Sequence, residues 1–178
     1  GHIMIGSDSL AAAVTVWAAG VAASPAARWL GAAADASGRV VVGPDLALPD
    51  DPGIFVVGDT AAARTADGTM VPGVATAAKQ MGTHAAQTII ARANGRTLPP
   101  FRYRHPGSMA TIGRSHAVAD LGRLRLSGLP AWLLWCTVHL WFLAGFRNRL
   151  VVGANWLWRY LTFESTARLI TQQEPRQP

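Results

Sequence analysis

The run Ile54-Phe-Val-Val57 places the tightest limit on what this chain can fold into. Four apolar residues stand in a row, bounded by Pro52-Gly53 before and by Gly58-Asp59 after. A short apolar run of this kind reads as a strand buried on both faces, as in the middle of a parallel sheet. A carboxylate directly after such a strand lies at its C-terminal edge, where open α/β sheets place their ligands. Gly58 would let the backbone approach a ligand closely, and Asp59 would accept hydrogen bonds from ribose-type or ribityl hydroxyls. The plainer alternative is that Asp59 caps the segment that follows.

The segments around that run are consistent with an α/β unit. Ala13 to Trp17 reads as a strand that ends at Ala18-Ala-Gly20. Ser24-Pro25 reads as a cap followed by proline at the first helical position, with the helix stopping at Gly31. Arg39 to Val42 is a second strand, Gly43-Pro44-Asp45 is a turn, and Ala61 to Thr69 is a small, polar surface loop. Val71-Pro-Gly73 opens the longest helix, which runs to about Asn94 with Gly95 just beyond it. Ala78, Met81, Ala85 and Ile89 would form its buried stripe, and Gly82 would permit close approach to the sheet. Further on, Met109–Gly113 and His116–Asp120 alternate around Arg114-Ser115 as a hairpin. Arg123-Leu-Arg-Leu126 would add a third antiparallel strand.

The quoted motifs together resemble a known family. Trp17-Ala-Ala-Gly20, Gly38-Arg-Val-Val-Val42, Pro44-Asp45-Leu46, the Ile54–Asp59 run and Val71-Pro-Gly-Val-Ala75 follow one another at compact spacing. They look like the second half of a flavoprotein with two dinucleotide-binding domains, of the pyridine-nucleotide-disulfide-oxidoreductase type. Met109-Ala-Thr-Ile-Gly-Arg114, His139-Leu140 and Gly145-Phe-Arg-Asn-Arg149 narrow the resemblance to the type II NADH:quinone oxidoreductases. These are single-subunit enzymes that pump no protons. The resemblance covers residues 10 to 170. It implies a fold that is α/β (α+β taken as a fragment), with a small antiparallel accessory sheet and hydrophobic C-terminal helices. Such an enzyme needs two glycine-rich fingerprints, because pyrophosphates require close backbone approach at a helix N-terminus. No G-x-G-x-x-G occurs in the 178 residues. The expectation is a C-terminal piece, inactive alone, that holds half of an FAD site.

The resemblance also assigns site residues. Gly20, Gly58, Asp59, Gly73, Val74 and Ala75 fall on the flavin side. A helix N-terminus against the flavin pyrimidine ring would stabilise negative charge that develops there on reduction. The family's Ala-Gln-x-Ala-x-Gln turn matches Ala75-Thr-Ala-Ala-Lys-Gln80, with Thr76 in place of the first glutamine. Thr76, Lys79 and Gln80 would border the quinone side, although an exposed lysine on a solvated helix face is also an ordinary feature. NADH, FAD and quinone are thus the implied substrate, cofactor and acceptor.

The domain division read from the sequence sets residues 1–9 apart as a cloning remnant and the start of the piece, with no signal peptide after it. Residues 10–98 belong to the nucleotide- and FAD-binding part, 99–128 to the accessory β region, 129–170 to the hydrophobic helices, and 171–178 to a tail. Leu129 to Phe146 carries no formal charge, and five of the seven tryptophans (Trp132, Trp135, Trp141, Trp156 and Trp158) lie after residue 128. With Arg147 and Arg149, these residues suit a headgroup region, where rings are half buried and guanidinium meets phosphate. A monotopic membrane anchor, a homodimer interface and a membrane span are the readings in question. The family resemblance favours peripheral attachment at the cytoplasmic face of a bacterial inner membrane.

Charge and cysteine content narrow the remaining classes. The net charge is +6, and Lys79 is the only lysine. So complete a preference for arginine, beside so much alanine, points in part to a GC-rich genome. Arg102, Arg104, Arg114, Arg123 and Arg125 with Tyr103 would be a nucleic-acid face, but no recognised module accompanies them and no nucleic-acid partner is expected. Cys136 stands alone, and His84, His105 and His116 lack a second ligand at metal spacing, so neither a disulfide nor a metal site is expected. The alternatives to the oxidoreductase are another FAD-dependent quinone- or ferredoxin-linked reductase, and a non-catalytic membrane-surface or dimerisation module.

Overall fold

The computed structural model describes residues 1–16, 18 and 20–163. Trp17, Ala19 and the tail from residue 164 lie outside the described residues. The contacts divide the chain into two units, one over Gly1–His105 and one that begins at Pro106. The fold is mixed α/β, as expected, with short strands and four helices among the described residues.

The first unit opens with an antiparallel hairpin of β1 (His2–Ile5) and β2 (Asp8–Ala11), turned at Gly6 with φ +61°. The segment read as a remnant is therefore ordered into strands. The next stretch corrects the sequence reading: Ala13 to Trp17 was expected as a strand, and residues 13–16 form none. Val14 and Val16 stay exposed, because β propensity without a ladder partner leaves backbone groups unpaired. The short helix α1 (Ala26–Leu30) starts after Pro25 and stops at Gly31, which takes the left-handed conformation at φ +60°.

The core of this unit sits between a two-residue parallel ladder and one long helix. β3 (Val40–Val41) pairs with β4 (Ala61–Ala62). The expected central strand is not in that ladder. Residues 54–57 instead fold back on Leu46–Leu48, with the Leu48 N–H donating to Ile54 O (2.9 Å) and the Val56 N–H to Leu46 O (3.0 Å). A strand buried on both faces needs a neighbour on each side. This one has a partner on one side only, and of its four residues only Val56 is buried. The expected surface loop is likewise corrected at its start, since Ala61, Ala62 and Ala63 are buried beside Val40.

Helix α2 (Ala75–Ala93) carries the rest of this core. It begins two residues after Gly73 and ends at Asn94, followed by Gly95 at φ +67°. The Arg96 N–H returns to Ala91 O at 2.8 Å, closing a Schellman-type end. Its buried face is Ala77, Met81, Ala85, Thr88 and Ala91. Met81 and Ala85 match the sequence pattern, whereas Ile89 is 52% exposed and Ala78 only half-buried. Gly82 meets no atom within 4 Å of a Cβ position, so no close approach depends on it.

His84 on α2 packs edge-on against Phe101, with ring centroids 5.5 Å apart, and its Nε2 is buried without a partner. Burial pushes the imidazole below its ordinary value of 6.5, with Asp45 pulling weakly the other way. The unfolded chain therefore binds the proton more readily than the folded one. Stability of the first unit should be complete above that ordinary value and should fall as pH drops below it. Urea midpoints measured across this range should lose part of their pH slope in His84→Phe. An unchanged slope would assign the effect elsewhere.

The second unit is a three-stranded antiparallel sheet with two helices. β5 (Ser108–Gly113), β6 (His116–Asp120) and β7 (Arg125–Ser127) are ordered 5-6-7, as the alternation predicts. Ser115 turns the hairpin at φ +61°. α3 (Gly128–Phe142) leaves β7 directly and packs on β6, where Ala117, Ala119 and Ala131 are all buried. Three alanines at the contact bring helix and sheet close, and Pro130 falls in the first turn, where its missing N–H costs nothing. α4 (Phe146–Thr162) follows the break at Leu143–Gly145. Among the described residues no helix is long and apolar enough to cross a membrane.

Candidate functional site

In the first unit the chain after Val57 enters a 3-10 turn, Gly58–Thr60, that lies against α2. Gly58 has φ +71°, and a Cβ there would stand 3.4 Å from the Ala78 methyl. Its N–H donates to the Met81 sulfur at 3.1 Å. Gly58 thus allows the turn to rest on the helix, and the turn presents Asp59 outward. Across from it is Gly73, where a Cβ would sit 3.6 Å from the Asp59 carboxylate oxygen. The start of α2 has no side-chain cap; the Val74 N–H donates to Pro72 O and the Ala77 N–H to Val74 O, and the helix end still carries its partial positive charge.

Beside this pair is a cavity of about 400 Å³ lined by Val21, Ser24, Arg39, Asp59, Thr60 and Gly73 among others. Ser24 Oγ lies 3.2 Å from Thr60 Oγ1, and Arg39 is held by Asp35 at 2.7 Å. The walls thus offer a carboxylate acceptor, two hydroxyls and a helix N-terminus, a set suited to a polyhydroxylated ligand with a site of developing negative charge. Of the residues expected on the flavin side, Asp59 and Gly73 line the cavity. Gly58 lies behind it, Val74 and Ala75 continue from Gly73 into the helix, and Gly20 adjoins the lining residue Val21. Ser24 was expected as the cap of α1, but that helix has Pro25 at its cap position and no side-chain cap, and the Ser24 hydroxyl meets Thr60 instead; Arg39 and Thr60 were not expected at the site.

The quinone-side candidates have partners. Thr76 Oγ1 is 3.3 Å from the Tyr103 hydroxyl, which is 3.1 Å from His105 Nδ1. Gln80 grips the backbone of Arg104 twice, donating to its carbonyl at 2.9 Å and accepting from its N–H at 3.0 Å. Lys79 is exposed on the same helix. Gln80 therefore pins residues 103–105 along α2. The alternation Phe101, Tyr103, His105 was the available signal that this segment lies on the helix as an extended strap. Gln80→Ala should cost about 1–2 kcal/mol and speed hydrogen exchange at the Arg104 amide. Unchanged exchange there would show that the strap is held without Gln80.

The motifs behind this geometry have relatives. Residues 105–163 match the NDH2 C-terminal domain. The chain is 41% identical over 169 residues to the type II NADH:quinone oxidoreductase Ndh of Mycobacterium tuberculosis, covering 91% of this chain and 35% of that protein. It is 41% identical over 160 residues to NdhA of the same organism, covering 85% of this chain and 33% of the relative. It is 32% identical over 154 residues to the demethylphylloquinone reductase NdbB of Synechocystis, covering 86% and 38%. The chain belongs to the type II NADH:quinone oxidoreductase family. It spans about a third of the length of these curated relatives.

The aromatic residues of the second unit separate into two sets. Trp135 and Trp156 stack at 5.4 Å, and Trp132 meets Tyr160 at 5.2 Å, so α3 and α4 are joined through these rings. Trp141 and Trp158 are 70% and 62% exposed. Arg147 is exposed, whereas Arg149 donates to Leu143 O at 2.9 Å and lies over the Trp141 ring. Phe146, Leu150, Leu157, Trp158 and Leu161 leave an exposed apolar stripe along α4. The expectation that all five tryptophans share one surface needs this division, because three of them face inward.

Proposed function

We propose that this chain carries the flavin-facing and membrane-facing parts of an NADH:quinone oxidoreductase. The observation that carries the reading is Asp59, facing Gly73 at the uncapped start of α2 beside a cavity of about 400 Å³. Those residues fit part of an FAD molecule: a carboxylate for its hydroxyls and a positive helix end for its pyrimidine edge. They do not supply a pyrophosphate grip, since the chain has no glycine-rich fingerprint. Bound FAD would supply the two-electron chemistry that links NADH to quinone. Asp59 would accept hydrogen bonds from the ribityl chain, and Val74 and Ala75 would present the helix N-terminus to the ring. Thr76, Lys79 and Gln80 border the side from which quinone would approach, with Tyr103 and His105 held beside them.

The exposed stripe of α4, together with Trp141 and Arg147, would rest on the cytoplasmic face of a bacterial membrane or on a twin subunit. Exposed rings with neighbouring arginines support a peripheral attachment. Trp141→Ala with Trp158→Ala should weaken binding to anionic vesicles while leaving the inward-facing pairs intact.

Two measurements test the enzymatic reading. The chain alone, mixed with FAD and desalted, should keep no visible flavin absorbance and should not oxidise NADH. In the intact oxidoreductase, Asp59→Ala should lower flavin retention and quinone turnover together, by about tenfold or more for a lost charge-assisted hydrogen bond. Full flavin retention in Asp59→Ala would overturn the assignment of this site.

A further inference from the structure

The second unit contains a cavity of about 560 Å³ that the reading above does not use. Its apolar walls are Trp132, Trp135, Trp156 and Tyr160, the rings that join α3 to α4. Two guanidinium groups border it: Arg114 from the β5–β6 turn and Arg159 from α4. Arg114 is fixed in place. It donates to the Tyr160 carbonyl and lies over the rings of Tyr160 and Phe163, at 4.3 and 3.7 Å from their centroids. Ser115, next to it, meets the Tyr160 hydroxyl at 2.8 Å. Arg159 is exposed and has no acidic partner among the described residues.

Among the described residues, the charged side chains that line this cavity are both guanidinium groups. From Leu121 to Phe163 the sequence contains five arginines, with Asp120 and Glu164 on either side; Arg125 pairs with Asp120, which leaves Arg123, Arg147, Arg149 and Arg159 as the excess. Such a field favours an anion and disfavours a cationic or acidic-residue-seeking partner. The walls require more than an inorganic anion, because four aromatic side chains offer apolar surface that a hydrated phosphate would leave unused. An occupant with an anionic head and an apolar body meets both conditions. Leu157 and Leu161, on the exposed stripe of α4, lie on the helix that supplies Trp156, Arg159 and Tyr160. An acyl chain seated among the rings would continue along an apolar surface.

We propose that this cavity is a binding site for a single anionic phospholipid, with its phosphate on Arg159 and Arg114 and the start of an acyl chain against Trp132, Trp135 and Trp156. The proposal deepens the membrane-surface reading and rests on it for the source of the lipid. A planar guanidinium can meet two phosphate oxygens at once, and a tryptophan face packs against methylene groups. The site would distinguish headgroups by charge, where the α4 stripe distinguishes only apolar from polar surfaces.

The test uses the full chain and short-chain lipids as monomers, so that no membrane is present. Dihexanoyl phosphatidylglycerol below its micelle concentration should bind saturably by calorimetry and shift tryptophan emission. Dihexanoyl phosphatidylcholine should bind at least about tenfold more weakly, the scale of one charge-assisted contact. Arg159→Gln should weaken phosphatidylglycerol by a similar factor, Arg159→Lys by less, and Arg123→Gln, which removes the same charge outside the cavity, should leave it unchanged. Equal binding of the two lipids, or equal losses in Arg159→Gln and Arg123→Gln, would overturn the site. Failure of the membrane reading gives a different pattern: monomeric phosphatidylglycerol binds, while vesicles of mixed phosphatidylcholine and phosphatidylglycerol do not, with or without Trp141 and Trp158.

Discussion

Gly107→Ala should lower the stability of the second unit by about 3 kcal/mol or more, a large part of what a small domain possesses. Gly107 has φ +112°, a conformation that side chains with a Cβ rarely adopt. A Cβ at that position would stand 2.6 Å from the backbone oxygen of Asp120 and 3.1 Å from the Leu121 Cα. The neighbouring pair Ser108↔Asp120 is the first rung of the β5–β6 ladder, so the clash is with a backbone that the sheet holds in place. Backbone strain of about 1–3 kcal/mol adds to an overpacking cost of similar size. The matched control is Gly113→Ala at the other end of β5, where no atom lies within 4 Å and φ is not positive. Urea unfolding followed by tryptophan fluorescence reads this unit well, since five of the seven tryptophans belong to it. If both variants unfold at the same denaturant concentration, the geometry at Gly107 is wrong.

The second large effect belongs to Met81. It is 2% exposed in the core, and its sulfur accepts the Gly58 N–H. Met81→Ala should cost about 3–5 kcal/mol, combining a cavity with the loss of the acceptor for Gly58. Met81→Leu keeps the volume and should cost only about 1 kcal/mol, because sulfur is a weak acceptor. The comparison separates packing from the hydrogen bond. Far-UV circular dichroism in urea, with hydrogen exchange at Gly58, provides the measurement. The turn that carries Asp59 should exchange faster in both variants, and more so in the alanine variant. A Met81→Ala midpoint close to that of the original protein would mean that α2 is not the floor of this turn.

Local chemistry was most legible where a residue type answers a single backbone requirement. Gly31 and Gly95 end α1 and α2 because both positions need a left-handed residue, and no distant contact alters that need. The hairpin at Arg114-Ser115 and the third strand follow from two-residue alternation around a turn. Ile54–Val57 failed for the opposite reason. An apolar run says that burial is wanted but not which chain segment will provide it. Here Leu46–Leu48 provides one edge and leaves the other side of the run without a strand. The α2 stripe shifted to Ala77, Met81 and Ala85 because alanine is common on every face of that helix, so periodicity alone chooses poorly among them.

The site followed the same rule. Asp59 and Gly73 could be picked from the motif, since the strand-end carboxylate and the glycine before a helix are local features. Ser24 and Arg39 from two loops and Thr60 from the 3-10 turn reach the same cavity, and their meeting depends on how β3 and β4 pair. Gln80 could be found as a motif position, yet its grip on Arg104 follows from the path of a strap 24 residues away.

The sequence by itself determined the family, the C-terminal ends of α1 and α2, the antiparallel hairpin and the carboxylate that follows the apolar run, because each rests on residues close together in the chain. Tertiary structure alone decided which partner each apolar segment found. It turned Trp132, Trp135 and Trp156 inward while Trp141 and Trp158 remained outside, a division that does not follow their sequence surroundings, since Trp132 and Trp141 lie in the same uncharged run. The physical reason is that hydrophobic burial has no direction. A helix apolar on every side, as α3 is, takes its inner face from whatever sheet and helix come to lie against it.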